Sequence, residues 1–117
     1  MSSSIYKDIS DYLVKNKLAI FFHSDGRSIN ENNYFIAYGY HPTGYLEKQI
    51  DIGPLEDLFR KKCKIILIEI YYFPKNLVYK PEVNKKFPVN SDSIESLTMV
   101  LHNIFNEKIS QSELDSI

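Results

Sequence analysis

The sequence predicts an α+β fold, a mostly antiparallel sheet of four to five strands with about three helices. Apolar residues recur at helical spacing near both ends of the sequence. Between them lie short runs rich in β-branched and aromatic residues, typical of strands. The short connection at residues 41–44 contains Pro and Gly and favours a hairpin. The length of 117 residues is that of one domain spanning residues 1–117 with a single hydrophobic core.

The first third of the sequence predicts a helix, a strand and a loop. A helix is predicted from a serine cap at Ser3 or Ser4 to about Lys17, because apolar residues recur at spacings of three and four. Residues 18–23 form a short apolar run, which predicts a buried strand. Residues 24–33 are rich in Asn, Asp and Ser, which predicts a loop.

A hairpin is predicted for residues 34–40 and 45–52. A tight turn makes four pairs of residues face each other: Tyr40 and Tyr45, Tyr38 and Glu47, Ile36 and Gln49, and Tyr34 and Asp51. Side chains alternate along a strand, so these eight share one face of the sheet. The opposite face is mostly apolar and is the predicted core side: Phe35, Ala37, Gly39, Leu46, Ile50 and Ile52, with Lys48 as the exception.

The second half predicts a helix, a central strand and a final helix. Pro54 is predicted at the first position of a short helix with Glu56 and Asp57 in its first turn. Residues 64–73 are apolar on both faces, which predicts a central strand. A short edge strand is predicted at residues 77–80, followed by a polar connector between Pro81 and Pro88. A capping box of Asp92 and Glu95 predicts a last helix over residues 92–107. The predicted order is α-β-β-β-α-β-(β)-α.

A surface that combines tyrosines with carboxylates is typical of protein-binding sites. Tyrosine supplies a large contact area with little side-chain entropy to lose. Glu69 lies in the apolar central strand and shares its parity with Tyr71, which predicts a second aromatic and acidic patch. The alternative is that a helix or the 24–33 loop covers the hairpin face. The predicted partner-binding residues are Tyr34, Tyr38, Tyr40, Tyr45, Glu47, Asp51, Glu69 and Tyr71.

No residue pattern predicts a catalytic, metal or cofactor site. The histidines lack metal-ligand spacing, and there is no phosphate-binding loop or nucleophile elbow. The single cysteine, Cys63, excludes an internal disulfide and is expected to be a small apolar residue. The first residues are polar, so we expect no signal peptide. The longest apolar run, residues 65–72, is too short to cross a bilayer, so we expect no membrane segment. The lone cysteine fits a reducing compartment, and we expect a cytoplasmic location.

The chain resembles the immunity proteins that bacteria make against toxins of competing cells. The resemblance lies in its size, its mix of helices and strands, and its acidic, aromatic segments YFIAYGY and YLEKQID. The resemblance covers the whole chain in general character, without a shared motif. It implies a protein partner, a toxin domain with a basic surface such as a nuclease, whose active site the protein blocks. It implies no enzyme activity and no cofactor.

Three other functions remain open from the sequence. The first is a dimeric acidic chaperone for a secreted effector. The second is a nucleic-acid-binding protein that uses the lysines and aromatic residues of segment 60–87. The third is a small enzyme that uses His23 as a general base with Asp25 and Glu69.

Overall fold

The computed structural model of the chain describes residues 2–25, 35–41, 49–73 and 82–115, with the side chains of residues 5–25, 35–41, 49–73 and 82–106. In this part of the chain the elements are α1 (Ser2–Lys15), β1 (Leu18–Ser24), β2 (Phe35–Gly39), α2 (Ile52–Arg60), β3 (Ile65–Tyr72), β4 (Glu82–Ser91) and α3 (Ile94–Asp115). The strands form one antiparallel sheet in the order β2-β1-β3-β4. The predicted α+β class is therefore confirmed.

Helix α1 buries the apolar stripe that its sequence predicts. Ile9 and Leu13 are fully buried and Tyr6 nearly so, because they recur at spacings of three and four along one side. On the solvent side Lys7 and Asp11 form an ion pair at 2.8 Å. The helix stops before Lys17, whose left-handed backbone (φ 58°) turns the chain directly into β1.

The central strands β1 and β3 supply the core of the sheet. Each is hydrogen-bonded to a strand on both sides, which explains their continuous apolar sequences. The side of the sheet that packs on the helices is called the helix face. Its central residues and the buried residues of α2 and α3 belong to one core: Ile20, Phe22, Ile68, Ile70, Leu55, Leu58, Leu97, Leu101 and Phe105.

Gly39 allows the end of β2 to pack closely on its neighbours. Its φ of +107° is a conformation that residues with a side chain rarely adopt. A Cβ at this position would also lie 2.7 Å from the Leu18 carbonyl oxygen and 3.2 Å from the Leu13 Cβ. The close approach of β2 to β1 and α1 therefore requires glycine.

The helix caps differ from those predicted. Helix α2 begins at Ile52 with Asp51 as its cap, since the Asp51 carboxylate accepts a hydrogen bond from the Gly53 amide at 3.0 Å. Pro54 is thus the third helical residue, not the first. The predicted placement of Glu56 and Asp57 in the first turn is wrong, because the helix starts earlier than predicted. Both carboxylates instead lie within 4.0 Å of the Arg60 guanidinium.

Helix α3 begins after Ser93 and is longer than predicted. The Ser96 amide donates to the Ser93 hydroxyl at 3.1 Å, so Ser93 and not Asp92 is the cap. The helix continues to Asp115, beyond the predicted end at residue 107. No helix within the described ranges, this one included, is both long and apolar enough to cross a lipid bilayer.

Two strand predictions need correction. Residues 49–51 at the end of the predicted third strand have no regular structure, and Ile52 already belongs to α2, while residues 45–48 lie outside the described residues. The predicted strand at residues 77–80 also lies outside them. The predicted polar connector instead forms β4, which tolerates Pro88 because β4 is an edge strand with two register shifts.

Candidate binding face of the sheet

Strand β2 presents the opposite face from the one predicted. It pairs with β1, which places Tyr38 beside Ile20 and Ile36 beside Phe22 on the helix face. Tyr38 is 1% exposed and its hydroxyl donates to the Asp51 carbonyl oxygen at 3.0 Å. The prediction that Tyr38 points outward is therefore wrong. The pairing partner of β2 decides its orientation, and within the described residues that partner is β1 and not the segment that follows β2.

The other predicted partner-binding residues do not form one patch in the described part of the chain. Tyr40 is half-buried beyond the end of β2, with its ring 6.1 Å from that of Phe73. Asp51 is exposed and caps α2. Three predicted residues lie outside the described residues: Tyr34, Tyr45 and Glu47. Glu69 and Tyr71 do share a face, as their parity predicts, and it is the face opposite to that of Tyr38.

The side of the sheet opposite the helices is called the far face. Cross-strand neighbours share a face, and the pairs Ala37–Phe21, Phe21–Glu69 and Glu69–Lys86 define it across all four strands. The buried residues of all three helices belong to the core on the other side. The far-face residues are Ala19, Phe21, His23, Phe35, Ala37, Leu67, Glu69, Tyr71, Val83, Lys86 and Pro88.

An aromatic row crosses the far face from β2 to β3. The Phe21 ring contacts the Tyr71 ring edge to face at 4.7 Å, and the Phe35 ring lies 6.1 Å from those of both Phe21 and His23. Phe35 is 58% exposed, and Phe21 and Tyr71 are half-buried. The predicted core role of Phe35 is thus wrong for the same reason as the orientation of Tyr38. The edge-to-face contact fixes the relative orientation of the Phe21 and Tyr71 rings, and much of the Phe35 ring surface remains available.

Glu69 lies at the centre of the far face and is only 6% exposed. A buried carboxylate is costly unless other groups compensate its charge. His23 Nε2 lies 2.5 Å from Oε1 of Glu69. The Tyr71 hydroxyl donates to Oε2 at 3.2 Å, and Lys86 Nζ lies 3.9 Å from the same oxygen. Glu69 therefore connects three polar residues contributed by β1, β3 and β4.

None of these three contacts has the geometry of a strong hydrogen bond. His23 Nε2 is close to Oε1, but the oxygen does not lie along the N–H direction, so Nε2 has no aligned partner. The distance from Tyr71 exceeds the 2.5–2.7 Å usual for a hydroxyl that donates to a carboxylate. The 3.9 Å between Lys86 Nζ and Oε2 is long for an ion pair, and the Lys86 side chain is 61% exposed. The charge of Glu69 is compensated, but its oxygens can accept further hydrogen bonds.

Burial and the neighbouring carboxylate act together on Tyr71. Removal from water raises its pKa above the usual 10.0, and the negative charge of Glu69 and the hydrogen bond to that carboxylate raise it further. The phenol therefore keeps its proton at neutral pH and remains a donor to Glu69.

Asp25 and Cys63 make contacts within the fold. The Asp25 carboxylate accepts a hydrogen bond from the Lys64 amide at 3.2 Å, which fixes the end of β1 to the start of β3. The carboxylate that contacts His23 is Glu69, from the neighbouring strand, and sequence spacing could not indicate this pair. Cys63 is 5% exposed and packs in the core as predicted. Within the described ranges, no three His, Cys, Asp or Glu residues form a group that could hold a metal ion.

Comparison of the chain with protein families, with curated proteins and with solved structures finds no match.

Proposed function

We propose that this protein is a binding protein of the immunity type, an inhibitor that holds a toxin domain on its far face and thereby blocks the active site of that domain. The aromatic row on the side of the sheet opposite the helices is the observation that supports the proposal. The proposed setting is the bacterial cytoplasm, where the lone Cys63 stays reduced.

The far face has the properties of a protein-binding centre. Exposed aromatic side chains dominate binding energy at interfaces, because they bury a large area with few rotatable bonds. Phe35, at 58% exposure on an edge strand, is open to a partner, and Phe21 lies next to it. Val83, at 42% exposure, extends the apolar surface towards β4. A partner would cover apolar area here without disturbing the core on the helix face.

A matched pair of substitutions tests the proposal. Phe35→Ser removes an exposed ring from the far face, whereas Met99→Ser removes the 68% exposed side chain from α3 on the helix side. Neither side chain contributes much to the core, so both variants should keep their stability within about 0.5 kcal/mol. If a toxin domain is encoded next to this gene, it should bind Phe35→Ser about tenfold or more weakly than the wild type and Met99→Ser normally. Calorimetry measures affinity, and growth of toxin-expressing cells measures protection.

The same experiment distinguishes the other functions. If both variants bind the toxin domain like the wild type, the far face is not the binding site. If no neighbouring toxin exists and the protein is a dimer in light scattering that captures a secreted effector, the chaperone function replaces this proposal.

A nucleic-acid-binding function is the second candidate, and one observation favours it. Phe21 and Tyr71 lie side by side on the two central strands with Lys86 on the next strand. Sheets with aromatic residues on their central strands bind single-stranded RNA by stacking of the bases. The buried carboxylate of Glu69 in the same row would repel phosphate groups, which favours a protein partner. Retention on heparin that falls with rising salt and is lost in Lys86→Gln would support this candidate instead.

A further inference from the structure

We infer that Glu69 is the acceptor for a cationic side chain of the partner, an arginine guanidinium, and that Lys86 occupies this position in the free protein. The inference rests on the proposed function, because it names the chemistry by which the far face recognises its partner. Three features support it: the acceptor capacity of Glu69, the long ion pair of Lys86 and the position of the aromatic rings.

The carboxylate of Glu69 can accept more hydrogen bonds than it receives. Ionised, it offers about four lone-pair positions. Its three contacts in the described residues are an unaligned approach by His23, a long hydrogen bond from Tyr71 and a distant ion pair with Lys86. A partly satisfied carboxylate in low-polarity surroundings gains free energy from an additional well-aligned donor.

Lys86 is the group that an arriving cation would displace. Its ammonium lies 3.9 Å from Oε2 and its side chain is 61% exposed, so the ammonium loses little when it returns to water. It projects from β4, an edge strand, and its movement leaves the central strands undisturbed. Departure of this ammonium leaves Oε2 of Glu69 without its ion-pair partner on β4.

The surroundings of Glu69 favour arginine over lysine. A guanidinium is planar, so it can donate two parallel hydrogen bonds to a carboxylate and stack on an aromatic ring. An ammonium is a compact point charge and lacks this bidentate and stacking geometry. Phe21 and Tyr71 lie on the strand positions next to Glu69, and Phe21 is its direct cross-strand neighbour. A guanidinium near Oε2 would therefore donate hydrogen bonds to the Glu69 carboxylate and pack against an aromatic ring.

A titration with N-acetyl-arginine amide tests the inference. NMR follows the chemical shifts of the backbone amides of β1 and β3 and of the His23 ring. N-acetyl-citrulline amide is the control, since citrulline has the shape of arginine without its charge. We expect saturable shifts around Phe21, His23 and Glu69 with the arginine probe alone. Glu69→Gln should abolish these shifts, while Glu82→Gln on the exposed part of β4 should keep them.

Lys86→Gln and Lys85→Gln provide a second comparison that leaves Glu69 unchanged. The two lysines are adjacent and exposed, and their substitution changes net charge equally, but Lys85 Nζ lies over the Phe87 ring at 5.4 Å. Removal of the internal competitor should tighten binding of the arginine probe about two- to fivefold in Lys86→Gln and less in Lys85→Gln.

Equal effects of the two lysine substitutions, or equal binding of arginine and citrulline, would overturn the inference. The probe titration involves no partner protein, so its failure leaves the proposed function to be decided by the Phe35→Ser experiment. Conversely, a far face that binds arginine but no toxin domain would preserve the site and reject the function.

Discussion

The helix face and the far face are two sides of the same four strands, but different forces stabilise them. On the helix face Ile20, Phe22 and Ile68 are fully buried against three helices. On the far face Phe35 stays 58% exposed and a buried carboxylate has only weak contacts. Burial of apolar area on one side is sufficient to form the sheet, so the other side is free to carry groups whose contacts are incomplete.

The largest expected effect compares two adjacent phenylalanines in β1. Phe22 is fully buried on the helix face, and Phe21 is half-buried on the far face. Phe22→Ala should lower the free energy of unfolding by about 3–5 kcal/mol, because it leaves a cavity in the core. Phe21→Ala should lower it by about 1 kcal/mol, because only part of that ring is removed from water. Urea unfolding measures both, and equal losses would mean that the far face is packed like a core.

A smaller effect is expected when the far-face carboxylate is removed. Removal of one member of a buried polar pair usually destabilises a protein, because the remaining member stays buried without its counterpart. Glu69→Leu should therefore lower the free energy of unfolding by about 1–3 kcal/mol, since the buried His23 Nε2 loses its neighbouring carboxylate, while binding of the arginine probe is lost. Thermal unfolding together with the NMR titration measures this. An unchanged or raised free energy of unfolding would mean that the contacts of Glu69 do not stabilise the fold.

The smallest effect concerns alkaline pH and compares a tyrosine on each side of the sheet. Burial raises the pKa of Tyr6, which is 3% exposed, and that of Tyr71. Above the unfolded pKa of 10.0 the unfolded chain releases these protons before the folded chain does, so stability should fall as the pH rises from there through the folded values. Below it this contribution is fully present.

Replacement of each tyrosine by phenylalanine shows which of the two causes the loss of stability at alkaline pH. Tyr6→Phe should reduce the fall in unfolding free energy between about pH 9 and pH 11 more than Tyr71→Phe does, because Tyr6 is the more deeply buried of the two. Urea unfolding at the two pH values measures the difference. An equal reduction in both variants would contradict the contrast in burial between the two faces.

The sequence predicted the elements whose pattern leaves a single interpretation. The stripe of α1, the apolar runs of β1 and β3 and the periodicity of α3 were all recognisable, and each of these elements is present. Helical spacing and continuous apolar runs report burial directly, because they do not depend on which strand is the neighbour. The same holds for the shared face of Glu69 and Tyr71, since alternation within one strand fixes it.

The sequence-based prediction of which face of β2 points to the core was wrong. Both sets of alternating residues in β2 are apolar or aromatic, so Tyr38 and Phe35 were each plausible on either side. A tyrosine is buried readily when its hydroxyl reaches an acceptor, and the Asp51 carbonyl is that acceptor. The polar composition of β4 likewise did not indicate a strand. Among the described strands β4 pairs only with β3, and most of its residues are exposed to solvent, so apolar residues are not required.

The sequence by itself determined the fold class, the central strands and the presence of an acidic residue among aromatic ones. Only the tertiary structure decided that Glu69 meets His23 and Lys86, and that Phe35 is exposed while Tyr38 is buried. The physical reason is that periodicity is a property of one strand, whereas orientation and cross-strand contacts depend on which strands pair and in what register.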